Sequence, residues 1–256
     1  TRAKSKMRMT IKRFVITPDL QVPFHSERGV KLLSRFITRF KPHYSICIGD
    51  EIDMPMLGSF NAGTAGELEG NLHEDREWVQ AIAEQLQWTD VVGSNHGIRL
   101  YKSIMKRLPA FMNLPELRYE RFMGYDDMGI KFHPDGMKLG NYIVHHGDAF
   151  PINTKPALTA LNAVLRTNSN VMIGHTHRLG ISASTASWKG NLRHSLFGVE
   201  VGHLTDIKSK GFAYTKGYQN WQAGFVYGYI DGNKVYPIIV PMEKDFSFVA
   251  EGRIYA

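Results

Sequence analysis

Apolar residues follow two rhythms along this chain. In the first half, short β-branched runs alternate with stretches whose apolar positions recur every three or four residues. Residues 12–16 alternate polar and apolar side chains before Thr17-Pro18-Asp19, which predicts a strand entering a loop. Val30, Leu33, Ile37 and Phe40 then fall at helical spacing between Ser26-Glu-Arg28 and Pro42. Residues 44–48 form a short apolar strand that stops at Gly49-Asp50. Trp78, Ile82 and Leu86 make one stripe of a helix over 74–86, and Val91-Val92 opens another strand. The glycine-rich stretch 54–70 between them reads as a loop or lid. Strand, helix and strand in this order predict βαβ units and a parallel sheet.

From about residue 130 strands dominate. Residues 130–133 and 137–144, separated by Pro134-Asp135-Gly136, read as a hairpin closed by an Asp-Gly turn. A helix over 156–165 precedes the run Val171-Met-Ile173. Strands follow at 180–186, 195–201, 225–230, 235–240 and 246–249, with Asp231-Gly232-Asn233 as a further hairpin turn. No repeat, low-complexity segment or linker interrupts the series. The economical architecture is α/β, with two mixed β-sheets packed face to face and flanked by helices. It comprises a basic N-terminal arm over 1–13 and one domain over 14–256.

Composition narrows the setting. A chain of 256 residues with 43% hydrophobic side chains fits one large domain with a proper core. No apolar run approaches the ~20 residues that span a bilayer, and no charged segment followed by an apolar core argues for secretion. The lone cysteine, Cys47, sits inside an apolar strand and fits a reducing, cytoplasmic compartment. Most of the net charge of +7 comes from Arg2, Lys4, Lys6, Arg8, Lys12 and Arg13, which no acid interrupts. That arm is either a solvated tail or a source of phosphate affinity. A second basic cluster, Arg99, Lys102, Lys106 and Arg107, would place positions 99, 102 and 106 on one helix face. A solvated face is the plain alternative.

Five polar clusters carry the chemistry: Asp19-Leu-Gln21, Gly49-Asp50-Glu-Ile-Asp53, Ser94-Asn95-His96, His145-His146-Gly147-Asp148 and Gly174-His175-Thr-His177. Four of them directly follow an apolar run, and side chains at the ends of neighbouring strands converge on one crevice. Two cations held close together need a shared carboxylate between them, and Asp50 is the best placed. Asp19 adds a hard oxygen, Asn95 an amide oxygen, and His146, His175 and His177 add imidazoles. Such mixed oxygen and nitrogen sites suit manganese, iron or zinc better than calcium. Singly, each residue has an ordinary explanation: Asp19 a turn or helix cap, Asp50 a strand end, Asn95 a left-handed turn position. Of the histidines outside the clusters, His203 in Val201-Gly-His-Leu204 is the one whose context places it near such a site.

As a set, the clusters resemble the calcineurin-like metallophosphoesterases, whose signature runs Asp-x-His, Gly-Asp-x-x-Asp, Gly-Asn-His-Asp/Glu, His-Gly and Gly-His-x-His. The match spans positions 19 to 177 in the family's order, and Asn220-Trp-Gln-Ala-Gly-Phe225 resembles its smaller bacterial and phage-encoded members. The resemblance implies one metal on Asp19, Gln21, Asp50 and His177, and a second on Asp50, Asn95, His146 and His175. It chooses His146 over His145, places His96 beside the scissile phosphate and puts Asp53 behind the ligands as an orienting carboxylate. Two positions depart from the pattern. Gln21 stands where the family has histidine, and Gly97 where it has the acid after Asn-His.

The expected activity is hydrolysis of phosphate esters by metal-bound hydroxide, with Asp50 and His96 as catalytic residues and two divalent ions as cofactors. Manganese is the first choice, with iron, zinc or nickel as other fits. The basic segments lean towards phosphodiesters, as nucleic acid or nucleotide, with Arg99, Lys102 and Lys106 binding substrate; a membrane partner is not expected. A phosphomonoesterase and a catalytically weak metal-binding scaffold are the competing readings.

Overall fold

Parallel strands joined by helices build the first half of the chain. The computed structural model describes residues 10–59, 61–212 and 219–256. In it β1 (Lys12–Thr17), β2 (Tyr44–Cys47), β3 (Asp90–Val92) and β4 (Lys131–His133) lie side by side in parallel. Helix α1 (Glu27–Phe40) links β1 to β2, and α2 (Leu72–Gln85) links β2 to β3. Ser26 caps α1 by accepting from Gly29 N–H, and Asn71 caps α2 by accepting from His73 and Glu74 N–H. These bonds satisfy donors that a helix start leaves open. The Asn71 cap starts α2 earlier than the apolar stripe predicts. Its buried face is centred on Val79, Ile82 and Ala83, leaving Trp78 half-exposed and edge-on to His25.

Between β3 and β4 the chain forms α3 (Ile98–Arg107) and a short α4 (Tyr119–Phe122). The predicted 54–70 loop contains two short 3-10 turns. Of the basic arm, residues 1–9 lie outside the described residues, while Lys12 and Arg13 begin β1.

The second half adds β5 (Met137–Leu139), β6 (Tyr142–His145), α5 (Leu158–Thr167), β7 (Asn170–Ile173), β8 (Leu179–Trp188), β9 (Asn191–Val201), β10 (Gly224–Asp231) and β11 (Lys234–Pro241). A terminal hairpin of β12 (Phe248–Ala250) and β13 (Arg253–Tyr255) follows. One sheet runs β11-β10-β1-β2-β3-β4 and the other β5-β6-β7-β9-β8; both mix parallel and antiparallel pairs. The hairpin expected across Pro134-Asp135-Gly136 does not form. Residues 131–133 pair with β3 in the larger sheet, and Pro134–Gly136 carries the chain over to the smaller one. The actual hairpin turns at Gly140-Asn141, between β5 and β6.

Packing forms α-β-β-α layers. Phe14, Ile16, Ile46 and Val92 from the larger sheet meet Val144, Met172, Val199 and Val201 from the smaller one. The other face of the larger sheet packs on α1 and α2, and α5 covers the smaller sheet through Ala160, Ala163 and Val164. Phe36 of α1 anchors the first helical layer, touching the rings of Phe40, Phe225, Tyr227, Phe248 and Tyr255 at 5.0–6.2 Å. No helix among the described residues is long and apolar enough to cross a membrane. Replacing Phe36, which is fully buried, by Ala should cost about 3–5 kcal/mol, measured as a shift in the urea unfolding midpoint.

Candidate metal centre

All five clusters lie just past the C-terminal ends of parallel strands: Asp19 after β1, Asp50 after β2, Asn95 and His96 after β3, His146 after β6, and His175 and His177 after β7. The larger sheet supplies the oxygens and His96; the smaller one supplies the other three imidazoles. The chain reaches these positions by sharp local turns. Gln21, Asp50, His175 and His177 all have positive φ, between 49° and 65°. Left-handed backbone at a non-glycine residue costs on the order of 1–3 kcal/mol, and here four such residues share one crevice. Gly49 has φ +102°, and a Cβ there would fall 2.7 Å from Ser94 Cβ and 2.9 Å from His146 Nδ1. At Gly174 a Cβ would meet Asp19 Oδ1 at 2.5 Å. The glycines of the Gly-Asp and Gly-His motifs thus make room for Ser94, His146 and Asp19.

Asp50 is the hub. Its Oδ2 lies 3.2 Å from His146 Nε2 and 3.7 Å from His96 Nε2, and its Oδ1 accepts from His96 N–H at 3.3 Å. Its backbone carbonyl accepts from Leu20 and Gln21 N–H, tying the first cluster to the second. Burial opposes ionisation of Asp50, but His146 and His96 outweigh it and hold the carboxyl well below the usual range. His146 sits between acceptors, with Nδ1 3.1 Å from Ile48 O and Nε2 2.9 Å from Asn95 Oδ1. Against burial, Asp50 lifts the ring to about 9, so it is an imidazolium in the metal-free chain. His175 completes a group with Asp50 and His146 whose donor atoms lie within 4.8 Å of one another. Burial and the charge of His146 lower His175 to about 4.

The second half of the centre pairs Asp19 with His177, at 3.3 Å between Oδ2 and Nε2. Both oxygens of Asp19 are buried with no well-formed hydrogen bond to a described residue, and burial pushes its carboxyl up to about 8 against the pull of His146 and of the His175 backbone. A solvent-free carboxylate so poorly supplied with donors is costly unless a proton or a cation neutralises it. His177 is held neutral by burial and by His203 beside it. This donor set fits divalent cations: carboxylates, imidazoles and an amide oxygen in one place, with His146 Nδ1 already anchored on a carbonyl as metal-binding imidazoles are. Gln21 is buried in the same loop, and its amide makes no hydrogen bond to a described residue.

His96 is oriented from behind. Its Nδ1 lies 2.7 Å from Asp53 Oδ1, while Arg99 reaches Asp53 O at 2.5 Å and His96 Nε2 at 3.1 Å. Burial lowers the imidazole's pKa, and Asp50 and Asp53 raise it by more. Asp53 therefore places a carboxylate beside His96 although residue 97 is glycine. The space at Gly97 is used otherwise, since a Cβ there would fall 3.0–3.2 Å from the Tyr119 ring. The phenols of Tyr119 and Tyr125 both donate to buried Glu51, at 2.5 and 2.7 Å.

His145 turns away from the centre, its Nδ1 accepting from Gly147 N–H. Lys102 and Lys106 are exposed on α3. Three residues near the centre carry little signal in the sequence. His203 stacks 5.5 Å from His177 and is oriented by Thr205, Trp221 lies edge-on to His177 at 4.5 Å, and Glu51 directly follows Asp50. The Gly-His and Asn-Trp-Gln contexts are the only pointers to the first two.

Two curated proteins match almost end to end. The Gene 54 protein of Mycobacterium phage L5 is 31% identical over 255 residues, covering 95% of this chain and 98% of its own. The chain belongs to the family of mycobacteriophage Gene 54 proteins. The Gene 54 protein of Mycobacterium phage D29 is likewise 31% identical, over 90% of this chain and 94% of its own. No family model matches. Among solved structures, Vacuolar Protein Sorting 29 from Cryptosporidium parvum is 13% identical with a TM-score of 0.46, covering 95% of this chain and 94% of that one.

Burial raises the Asp19 carboxyl and Asp50 raises the His146 imidazole; each must be free of its proton to donate a lone pair, so metal binding releases protons. Mn²⁺ affinity should therefore climb between pH 6 and 8, by up to about tenfold per pH unit for each proton released. Isothermal titration calorimetry in buffers of different ionisation enthalpy measures both quantities, and a pH-independent affinity would contradict the assignment.

Proposed function

We propose that this Gene 54 family member is a dinuclear-metal phosphoesterase that hydrolyses phosphodiesters, acting in the cytoplasm of a phage-infected cell. The observation that carries the reading is the fully buried carboxylate of Asp19 facing His177, with no well-formed hydrogen bond to a described residue, beside the Asp50–His146–His175 group. One ion is assigned to Asp19, Gln21, Asp50 and His177, and the other to Asp50, Asn95, His146 and His175. Manganese is the first choice of metal.

Divalent cations held there would supply Lewis-acid stabilisation of the phosphoryl oxygens and a water acidic enough to attack phosphorus. The chain's own groups do the rest. Asp53 fixes the His96 ring through Nδ1 and leaves Nε2 facing the crevice. With its pKa raised by the two carboxylates, Nε2–H is the proton source for the departing oxygen. Arg99, which donates to Nε2 in the neutral ring, is the nearest cation for an incoming phosphoryl oxygen. Cys47 is buried, and burial pushes its thiol up, so it offers no nucleophile. The Gly97 departure leaves His96 with a carboxylate partner, which favours an enzyme over a metal-binding scaffold.

With Mn²⁺, the protein is expected to turn over bis-p-nitrophenyl phosphate faster than p-nitrophenyl phosphate. The opposite preference would make it a phosphomonoesterase, and tight metal binding without turnover a scaffold. Asp50→Asn should abolish turnover while circular dichroism reports a folded chain; an active, metal-loaded variant would remove Asp50 from its role. His96→Asn should lower kcat about 10²–10⁴-fold on an unactivated diester. The loss should be smaller on nitrophenyl esters, whose leaving group needs little protonation, and an equal loss on both would count against proton donation.

A further inference from the structure

Helix α3 leads directly out of the centre, and its exposed surface is unusual for a helix on a folded domain. Leu100 is its buried residue, whereas Ile98, Tyr101 and Met105, with Leu108 just beyond, are 43–56% exposed. At 100° per residue these four form one column. Arg99, Lys102 and Lys106 form a second column directly beside it. The head of the basic column is Arg99, which touches His96 and Asp53. Lys102 and Lys106 are exposed and make no ion pair with a described residue. From 99 to 106 the helix advances about 10 Å.

A cavity of about 180 Å³ opens at the start of the apolar column, lined by Gly93, Gly97, Ile98, Tyr101, Tyr119 and Phe132. Its floor includes Ser94 and Gly97, the residues that flank Asn95 and His96. An apolar cavity of about 150 Å³ holds one benzene, so this one admits a single base ring, a pyrimidine before a purine. Gly97 lets the Tyr119 ring pack close along the cavity wall, since a Cβ there would fall 3.0–3.2 Å from it.

We propose that α3 is the binding track for a single-stranded nucleic acid, with phosphates along Lys102 and Lys106 and one base lodged in the cavity against Tyr101. This deepens the phosphoesterase reading and rests on it for the strand's being a substrate. Lysines following a backbone, with aromatic rings that take its bases, are how sequence-tolerant single-strand sites are built. A duplex keeps its bases stacked and offers none to a pocket. A second protein copy would bring its own lysine column against this one, and the like charges would repel.

The test is fluorescence anisotropy of a labelled fifteen-residue oligothymidylate with the full chain in EDTA, so that nothing is cleaved. The wild type should bind it at least tenfold more tightly than a duplex of the same length. Tyr101→Ala should weaken binding about 5- to 100-fold while Tyr101→Phe leaves it unchanged. Lys102→Gln with Lys106→Gln should reduce the slope of log affinity against log salt by about 1.4. Equal binding by Tyr101→Ala, or no binding by the wild type, overturns the proposal. So does a Tyr101→Ala change from dimer to monomer in light scattering with no change in oligonucleotide affinity, which would assign the face to a second copy. Turnover of bis-p-nitrophenyl phosphate by the wild type reports separately. Turnover without oligonucleotide binding defeats the track and spares the phosphoesterase, and binding without turnover does the reverse.

Discussion

The buried contact between Asp50 and His146 sets the terms for everything around it. A carboxylate with 1% side-chain exposure and a fully buried imidazole are tolerable only as partners. Each comes from a different sheet, so the two sheets must pack in one relative position for the pair to form. The Ile48 carbonyl then fixes the imidazole from the larger sheet, and the Asp50 carbonyl ties down the Asp19–Gln21 loop. Four residues in left-handed conformation around this contact are the conformational cost of aiming so many donors at one point.

Much of this was legible in the sequence because it is local. The β-branched runs before Asp19, Asp50 and His175 specify strands, the polar clusters mark their ends, and Ser26 announces the start of α1. What was illegible depends on distant partners. Asp135-Gly136 has the chemistry of a hairpin turn, yet the preceding residues find a better partner in β3, and the same dipeptide becomes a crossover between sheets. Trp78 follows helical spacing but lies off the buried face, which Val79 and Ala83 occupy. Glu51 reads as one more polar residue of its motif until Tyr119 and Tyr125, 68 and 74 positions away, close over it.

Gln21 and Gly97 divide in what they mean. Gly97 belongs to a local rearrangement in which a tyrosine ring occupies the space a side chain would need, and Asp53 takes over orientation of His96. The histidine has a carboxylate, that of Asp53, 2.7 Å from its Nδ1. Gln21 brings only a neutral amide to its side of the crevice. His203 stacks on His177 but is turned towards Thr205. The Asp19 half of the centre is therefore the poorer in strong donors.

The division of donors between sheets has a mechanical corollary. Any ion gripped by Asp50 and His146 together is a stitch across the seam between the two layers, on the same side as the loops that carry chemistry. Occupancy would then stiffen the whole sandwich as well as arm it, because free energy of ligation becomes free energy of folding. Stripping the ions would loosen the seam first at that rim, leaving the opposite, hydrocarbon-filled end of the layers to hold the halves in register.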